Sequence, residues 1–457
     1  MSFQQGLSGL SAAAKNLDVI GNNIANAGTY GAKSSRAEFK EVYAGALSGA
    51  GGSPIGIGVT LGSVSQQFTQ GNITSTDNPM DLAINGGGFF QVGDGKSPVT
   101  YSRNGQFKVS QEGFIVNGEG FKLLGYPADS TGVIQPGLAQ TLRLPTAGIA
   151  PKPTTEVKME FNLDSRASYS GKTVDPGINL KDAKTYNNAT SLTAFDAKGQ
   201  NVAVTFYFQK VQPASGPLAD PPTATIDPLE TTKWNVFATA NGEFFTKDSA
   251  GNPIVTTPAD PAAIPPTVAR MNSPYTTLEF DPKGGRPITP TAELSLQIPA
   301  TSTSTGSSLE ILGVSLNVLG ASENGSSFGV TNLTQNGYAP AQLTGIVVEG
   351  TGVVTARYSN GQSKPAGQVE LANFINPQGL QPLGGNRWAR TLTSGEAVVG
   401  VAGDGNLGRI QSGSLEESNI DLTAELVNMV TAQRAYQASA QTIKTQDQVL
   451  QTIVNLR

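Results

Sequence analysis

Small and apolar side chains recur at alternating steps of four and three at both ends of this chain. At the N-terminal end they fall on Phe3, Leu7, Leu10, Ala14, Leu17, Gly21 and Ile24, with Ile20 alongside. At the C-terminal end they fall on Leu422, Leu426, Met429, Gln433, Tyr436, Ala440, Ile443, Asp447, Leu450 and Val454. This spacing keeps one seam of a helix turned towards a partner, the pattern of a coiled coil. Ser2 with Gln5 three residues on matches a capping box, and the cluster Asn22, Asn23, Asn26 and Gly28 ends the first helix near Ile24. The second begins near Asp421, with Ser418 and Asn419 as competing caps, and meets no Pro or Gly through Arg457. At ~1.5 Å per residue the two rods are about 33 and 55 Å long.

Between the helices the period changes to two. Residues 83–85, 89–92, 106–109, 113–116 and 121–124 read as short strands, punctuated by Gly86-Gly87-Gly88, Asn104-Gly105, Glu112-Gly113 and Asn117-Gly118. A similar block follows much later, with strands at 346–348, 352–358, 368–374 and 397–401 and turns at Asn360-Gly361 and Asn376-Pro377. The segment between the two blocks has its own strands at 157–163, 202–208, 233–237, 277–280 and 292–298, and Pro- and Ala-rich stretches at 211–228 and 252–267. These stretches read as surface loops or a small extra subdomain.

The expected fold is therefore a mainly β, multi-domain protein with coiled-coil-like helical ends and nested, discontinuous domains. Residues 1–31 with 420–457 form the helical domain, 76–148 with 335–410 a discontinuous β domain, and 149–334 an inserted β domain. Residues 32–75 are a Gly-rich connector and 411–419 a second connector. Within the first connector a charged patch (Lys33, Arg36, Glu38, Lys40, Glu41) precedes a Gly-, Ser- and Ala-dominated run from Gly45 to Gly62, expected to stay mobile or lie along neighbours.

Composition narrows the chemistry. The 457 residues include 54 Gly and 28 Pro but no Cys and no His, and 14% are charged. A formal charge of −5 gives no electrostatic footprint for nucleic acid or an anionic membrane. Without His and Cys the commonest general base, the thiol nucleophile and the usual transition-metal ligands are missing. The remaining motifs are weak. Gly86-Gly87-Gly88 is not followed by a helix, as a phosphate loop requires, and Gly93-Asp94-Gly95-Lys96 reads as a hairpin tip. Asp404-Gly405-Asn406 lacks the alternating acids of a calcium loop. Glu416-Glu417 is explained by a helix dipole that favours acids at its start. The expectation is no enzyme, no cofactor and no metal. The N-terminus has no basic region ahead of its apolar stretch, so no cleavable signal is expected, and no run approaches a membrane span.

An apolar stripe on one isolated helix usually packs on its own domain. Here both stripes lie at chain ends and both are diluted by Ala14, Gly21, Gln433, Ala440 and Asp447. The C-terminal helix also has a second apolar edge at Val430, Val449, Ile453 and Leu456. A helix apolar on two edges needs more than one neighbour. Both ends are therefore expected to order only on assembly with other copies. Each carries balanced charge, so copies can crowd together, and Gln437, Gln441, Lys444, Gln448 and Gln451 make a wet opposite face.

The run Asn16 to Ala27, with Asn16, Asp18, Gly21, Asn22, Asn23 and Asn26, resembles the N-terminal signature of the bacterial flagellar rod and hook axial proteins. Leu415 to Met429 and Ala432 to Tyr436, with Asn419, Asp421, Glu425, Gln433 and Arg434, resemble that family's C-terminal signature. Tyr101 to Phe107, Gly367 to Phe374 and Thr442 to Gln448 are similar to its hook members. The chain departs from the family in having Ala32 before Lys33, where Phe is usual. The resemblance implies a homopolymer built beneath a cap protein, seated on the distal rod and continued by hook–filament junction proteins. It also implies passage through the flagellar type III export apparatus without a cleavable signal, and a final place outside the cell. It implies an inner tube of terminal helices, a β layer around it and the insertion outermost, working as a universal joint. The assembly residues expected on this basis are Phe3, Leu7, Leu10, Ala14, Leu17, Ile20, Ile24, Leu422, Leu426, Met429, Tyr436, Ala440, Ile443, Leu450, Ile453 and Val454. A distal rod protein, an adhesin or a polysaccharide-active β protein are the alternatives. The length of the insertion favours hook over rod, and neither of the others accounts for paired helical ends.

Overall fold

The computed structural model describes residues 2–43, 56–170, 177–212, 231–257, 269–303 and 306–455. Helix α1 spans Ser2–Asn26 and helix α2 spans Leu422–Asn455. Asp421 caps α2: its carboxylate accepts from the Thr423 amide at 2.9 Å and the Ala424 amide at 3.2 Å. Neither Ser418 nor Asn419 is the cap, because Asn419 is engaged elsewhere. At α1 the Gln5 amide donates to the Gly56 carbonyl at 2.7 Å, tying the helix to a strand.

The first connector is more regular than its composition implies. Strands β1 (Ser35–Tyr43) and β2 (Gly56–Gln66) pair antiparallel into a two-stranded ribbon. The central part of the Gly45–Gly62 run, 44–55, lies outside the described residues, as do 213–230 and 258–268 of the Pro-rich stretches. The second connector is also paired. Arg409–Ser412 lies beside Leu82–Asn85, and Ser414–Glu416 beside Ile73–Ser75.

The chain divides into two compact units, Met1–Ala147 with Leu343–Arg457 and Gly148–Gln342. In the first, the long strand Ser363–Asn373 is the spine. It pairs in turn with Val353–Tyr358, Lys122–Pro127, Phe89–Gly93 and Val398–Val401. Leu82, Ile84, Phe90, Phe107, Ile115, Leu123, Val369 and Leu371 fill its core. The expected hairpin turn at Glu112-Gly113 connects Phe107–Val109 to Ile115–Asn117, and Gly113 takes φ +86°.

In the second unit a five-stranded and a six-stranded sheet enclose one core. Alternation along Glu156–Asp164 sends Val157, Met159, Phe161 and Leu163 inward, against Phe206, Phe208, Trp234 and Phe280. Ion-pairing groups are buried here too. Lys210 lies 4.0 Å from Glu323, which also accepts from the Trp234 indole at 3.1 Å, and burial lowers the pKa of Lys210. Strands Asn188–Phe195, Ile311–Asn317 and Gly329–Gln335, unmarked by strong alternation, complete the sheets.

Candidate assembly interface

The two terminal helices meet through their smallest residues. A side chain at Gly6 would stand 3.1 Å from Ile443 Cγ1, and one at Gly9 would stand 3.1 Å from Ser439 Oγ. Ala13, Ile20 and Ala432 are buried along the same line. The contact face of α1 thus runs through positions 6, 13 and 20, one residue off the expected 7, 14 and 21. On α2 it runs through Glu425, Met429, Ala432, Ser439 and Ile443, and replaces the expected Leu426, Gln433 and Ala440 by their predecessors. Small residues let two helix axes approach closely, so they form the seam within the chain. The bulky residues are turned away.

Those bulky residues have no cover. Phe3, Leu7, Leu422, Leu426, Tyr436 and Leu450 are exposed, as are Val427, Val430 and Val449 on the neighbouring edge. Leu426 keeps 48% of its surface in solvent and Val427 62%. Leu10, Ala14, Leu17, Ile24, Met429, Ala440 and Ile443 are half-buried. Ile20 is the exception among the expected assembly residues: it is 5% exposed and packs inside the chain, so it offers a neighbour nothing. The side chains of Ile453 and Val454 lie outside the described ones. Both ends are helical and rest on each other, and α1 also rests on the β1–β2 ribbon, in contrast to the loose ends expected of a single copy.

The polar signature residues fasten this assembly. Asn23, 2% exposed, accepts from the Ser35 amide at 2.9 Å and donates to the Ser35 carbonyl at 2.8 Å and to Glu425 Oε1 at 3.2 Å. Asn419 accepts from the Ser34 amide at 2.8 Å and donates to the Gln67 carbonyl at 2.8 Å. The two asparagines therefore hold opposite strands of the ribbon to the two helix ends. Asn26 donates to the Asn22 carbonyl within α1, and Asp18 makes only an exposed pair with Lys15. Gln433 and Arg434 are exposed. At Gly21 an added side chain would meet nothing within 4 Å, so its small size is not required by its own chain. Asn16 lines a recess of about 380 Å³ with Asn23, Glu425 and Ala432.

Beneath the ribbon lies a buried ionic cluster. Glu416 Oε1 accepts from Lys33 Nζ at 2.6 Å and from the Gly71 amide at 3.0 Å, and Oε2 accepts from Arg103 Nη1 at 3.1 Å. Lys33 also donates to the Thr69 carbonyl, and Arg103 Nη2 to the Gly86 carbonyl at 2.9 Å. Burial lowers the pKa of both cations, opposed by the Glu416 charge. This overturns the helix-dipole explanation of Glu416, whose carboxylate is fully buried and points away from the α2 terminus. The cluster was hidden because its partners stand 383 and 313 residues apart in the chain. It also supplies the anchor for Ala32-Lys33. Alongside it, Phe68 meets Phe89 and Trp388 edge-on at 5.6 and 5.5 Å, and the Trp388 indole donates to Gln66 at 2.6 Å. The connector is thus pinned to the β unit from 66 to 71. Gly31 (φ +71°) crosses so close that a Cβ would sit 2.6 Å from the Asn104 nitrogen.

No group of three acidic or other ligating side chains occurs among the described residues. None of their helices is long and apolar enough to cross a membrane.

Residues 3–33 match the flagella basal body rod protein family and 83–158 the flagellar hook protein FlgE/F/G D1 domain. Residues 162–338 match the flagellar basal body protein FlaE D2 domain and 411–456 the flagellar basal body rod FlgEFG protein C-terminal family. The flagellar hook protein FlgE of Salmonella typhimurium is 40% identical over the full length of both chains, and that of Escherichia coli is 39% identical, also over both full lengths. The crystal structure of Helicobacter pylori flagellar hook protein FlgE2 aligns with a TM-score of 0.49 at 13% identity, over 75% of this chain and 100% of that one.

Proposed function

This chain belongs to the flagellar hook protein family, and on that premise we propose that it self-assembles into the helical tube of the hook, a flexible joint that passes motor torque to the filament. The observation that carries the mechanism is the divided surface of α2. One edge, made of small residues, is taken by α1. The other, with Leu422, Leu426, Val427 and Val430, has no cover within the chain. At ~25 cal/mol per Å² a row of half-exposed aliphatic side chains on every subunit is a strong drive to associate. The exposed row Gln437, Gln441, Lys444, Gln448 and Gln451 would then face a wet bore. The terminal helices form the inner wall and the β unit that carries them the next layer.

In this reading the hook cap, the distal rod, the hook–filament junction proteins and the type III export apparatus are the partners. The subunit travels without a cleavable signal to a place outside the cell, and its role is structural with no catalysis. Electron microscopy of the concentrated, purified full chain tests the reading. Tubes are expected. Monomers that persist at every concentration and salt condition would contradict it.

A further inference from the structure

Two apolar patches on the β unit lack a partner, and they sit at opposite ends of one strand. The first gathers at the C-terminal end of the spine Ser363–Asn373. Ile375 is 88% exposed and Leu392 fully so, with Val398 at 58% and Val399 at 49%. The loop carrying Leu392 is held against this end by Asn376, which donates to the Thr393 carbonyl at 3.0 Å. Ile375, Val398 and Val399 line a shallow recess of about 280 Å³ with Asn373 and Leu407, smaller than most small-molecule sites and sized for one or two aliphatic side chains.

The strand Val398–Val401 pairs on one side with 370–373 and has no second partner among the described residues. It carries no Lys, Pro or bulge of the kind that blunts a free edge. The second patch lies near the start of the same spine. The loop 128–139 is fixed there by Ala128, which donates to the Ala366 carbonyl, and by Lys364, which donates to the Ser130 carbonyl. It presents Leu138, 88% exposed, and Val133, 58% exposed. At ~3.3 Å per residue the patches stand about 20 Å apart along the strand.

We propose that these are the two halves of a head-to-tail contact between copies of this chain, in which Leu138 and Val133 of one β unit seat on Ile375, Leu392 and Val398 of the next. The inference rests on the hook-subunit reading. Two different patches on one molecule make a heterologous contact, and repeated heterologous contacts that do not close into a ring generate an open helical polymer. A self-complementary patch would stop at dimers. Separation of the patches along a single rigid strand fixes the direction in which subunits follow one another. The contact adds a second line of attachment, independent of the terminal helices.

The chain has no cysteine, so engineered pairs report cleanly. A full chain carrying both Leu138→Cys and Val398→Cys, assembled and then oxidised, is expected to give a ladder of covalent oligomers. A mixture of the two single variants should stop at covalent dimers, because each molecule then has one thiol. Bridging needs Cβ atoms about 4 Å apart, so random collision within the tube does not mimic it. Tubes that form normally but yield no ladder would overturn this contact and leave the hook reading intact. Covalent dimers from Val398→Cys alone would also overturn it, by showing a symmetric contact. Absence of tubes from the unsubstituted chain would bring down the hook reading and this inference with it.

Discussion

Glu416 holds two cations in the dry interior and touches three separate stretches of the chain, so its removal tests whether the ends and the β unit are one structure. Glu416→Gln leaves Lys33 and Arg103 buried with their countercharge gone. Loss of one partner of a buried pair costs about 3–5 kcal/mol, and urea unfolding of the full chain should show it. An unchanged midpoint would mean that the cluster is wet or poorly formed. Glu370 is the other buried carboxylate of this unit, accepting from Gln91 at 2.6 Å and from the Tyr126 hydroxyl at 2.7 Å. Burial, and then the hydrogen bond to Glu370 and its charge, push the Tyr126 phenol up to about 12. Its folded pKa exceeds the unfolded value of 10.0, so its stabilising effect is complete below pH 10 and fades as pH rises through about 12. Spectrophotometric titration should show Glu370→Gln moving one tyrosine down, though not fully to 10, because burial remains. No movement of any tyrosine would refute the pairing.

At the scale of elements the helix pair depends on what is absent from α1. Gly6→Val would force Ile443 aside, and overpacking of this kind costs about 1–3 kcal/mol. Loss of α1–α2 contact by hydrogen exchange, with the β core still protected, is the expected result. Equal protection of both helices in variant and parent would show that the seam lies elsewhere. Where a pattern is local the chain's elements are legible: the alternation from Val157 to Leu163 and the Asn360-Gly361 turn both stand in the fold where spacing puts them.

The β1–β2 ribbon was illegible because its second strand is built from Gly, Ser and Thr and gains its order from Asn23, Asn419 and Gln5, which reach it from the helices. The helix seam was read one position off on alternate turns. Periodicity weights bulk, whereas close packing selects Gly6, Ala13 and Ser439. The bulky stripe it found is the uncovered one. Flexibility of the joint is also relocated. The connector is clamped at Lys33, Phe68 and Gly71, so bending falls on contacts between subunits rather than on slack within one.

For the whole molecule, the inserted unit begins and ends at one place. Ile149 pairs with Ala341 and Lys152 with Tyr338, so its two strands of entry run side by side. Replacement of 148–342 by a short Gly-Ser linker should therefore leave the first unit folded and still able to form tubes, with altered curvature or stiffness under the microscope. Loss of every assembled form would make the insertion part of the polymer's framework. The account as a whole stands on the uncovered face of α2. Leu426 touches solvent in the single chain, so Leu426→Asp should shift stability by no more than about 0.5 kcal/mol. The decisive measurement is electron microscopy of that variant at a concentration where the parent chain polymerises. Folded subunits without tubes are predicted, and tubes of normal length would contradict the assignment of this face to assembly.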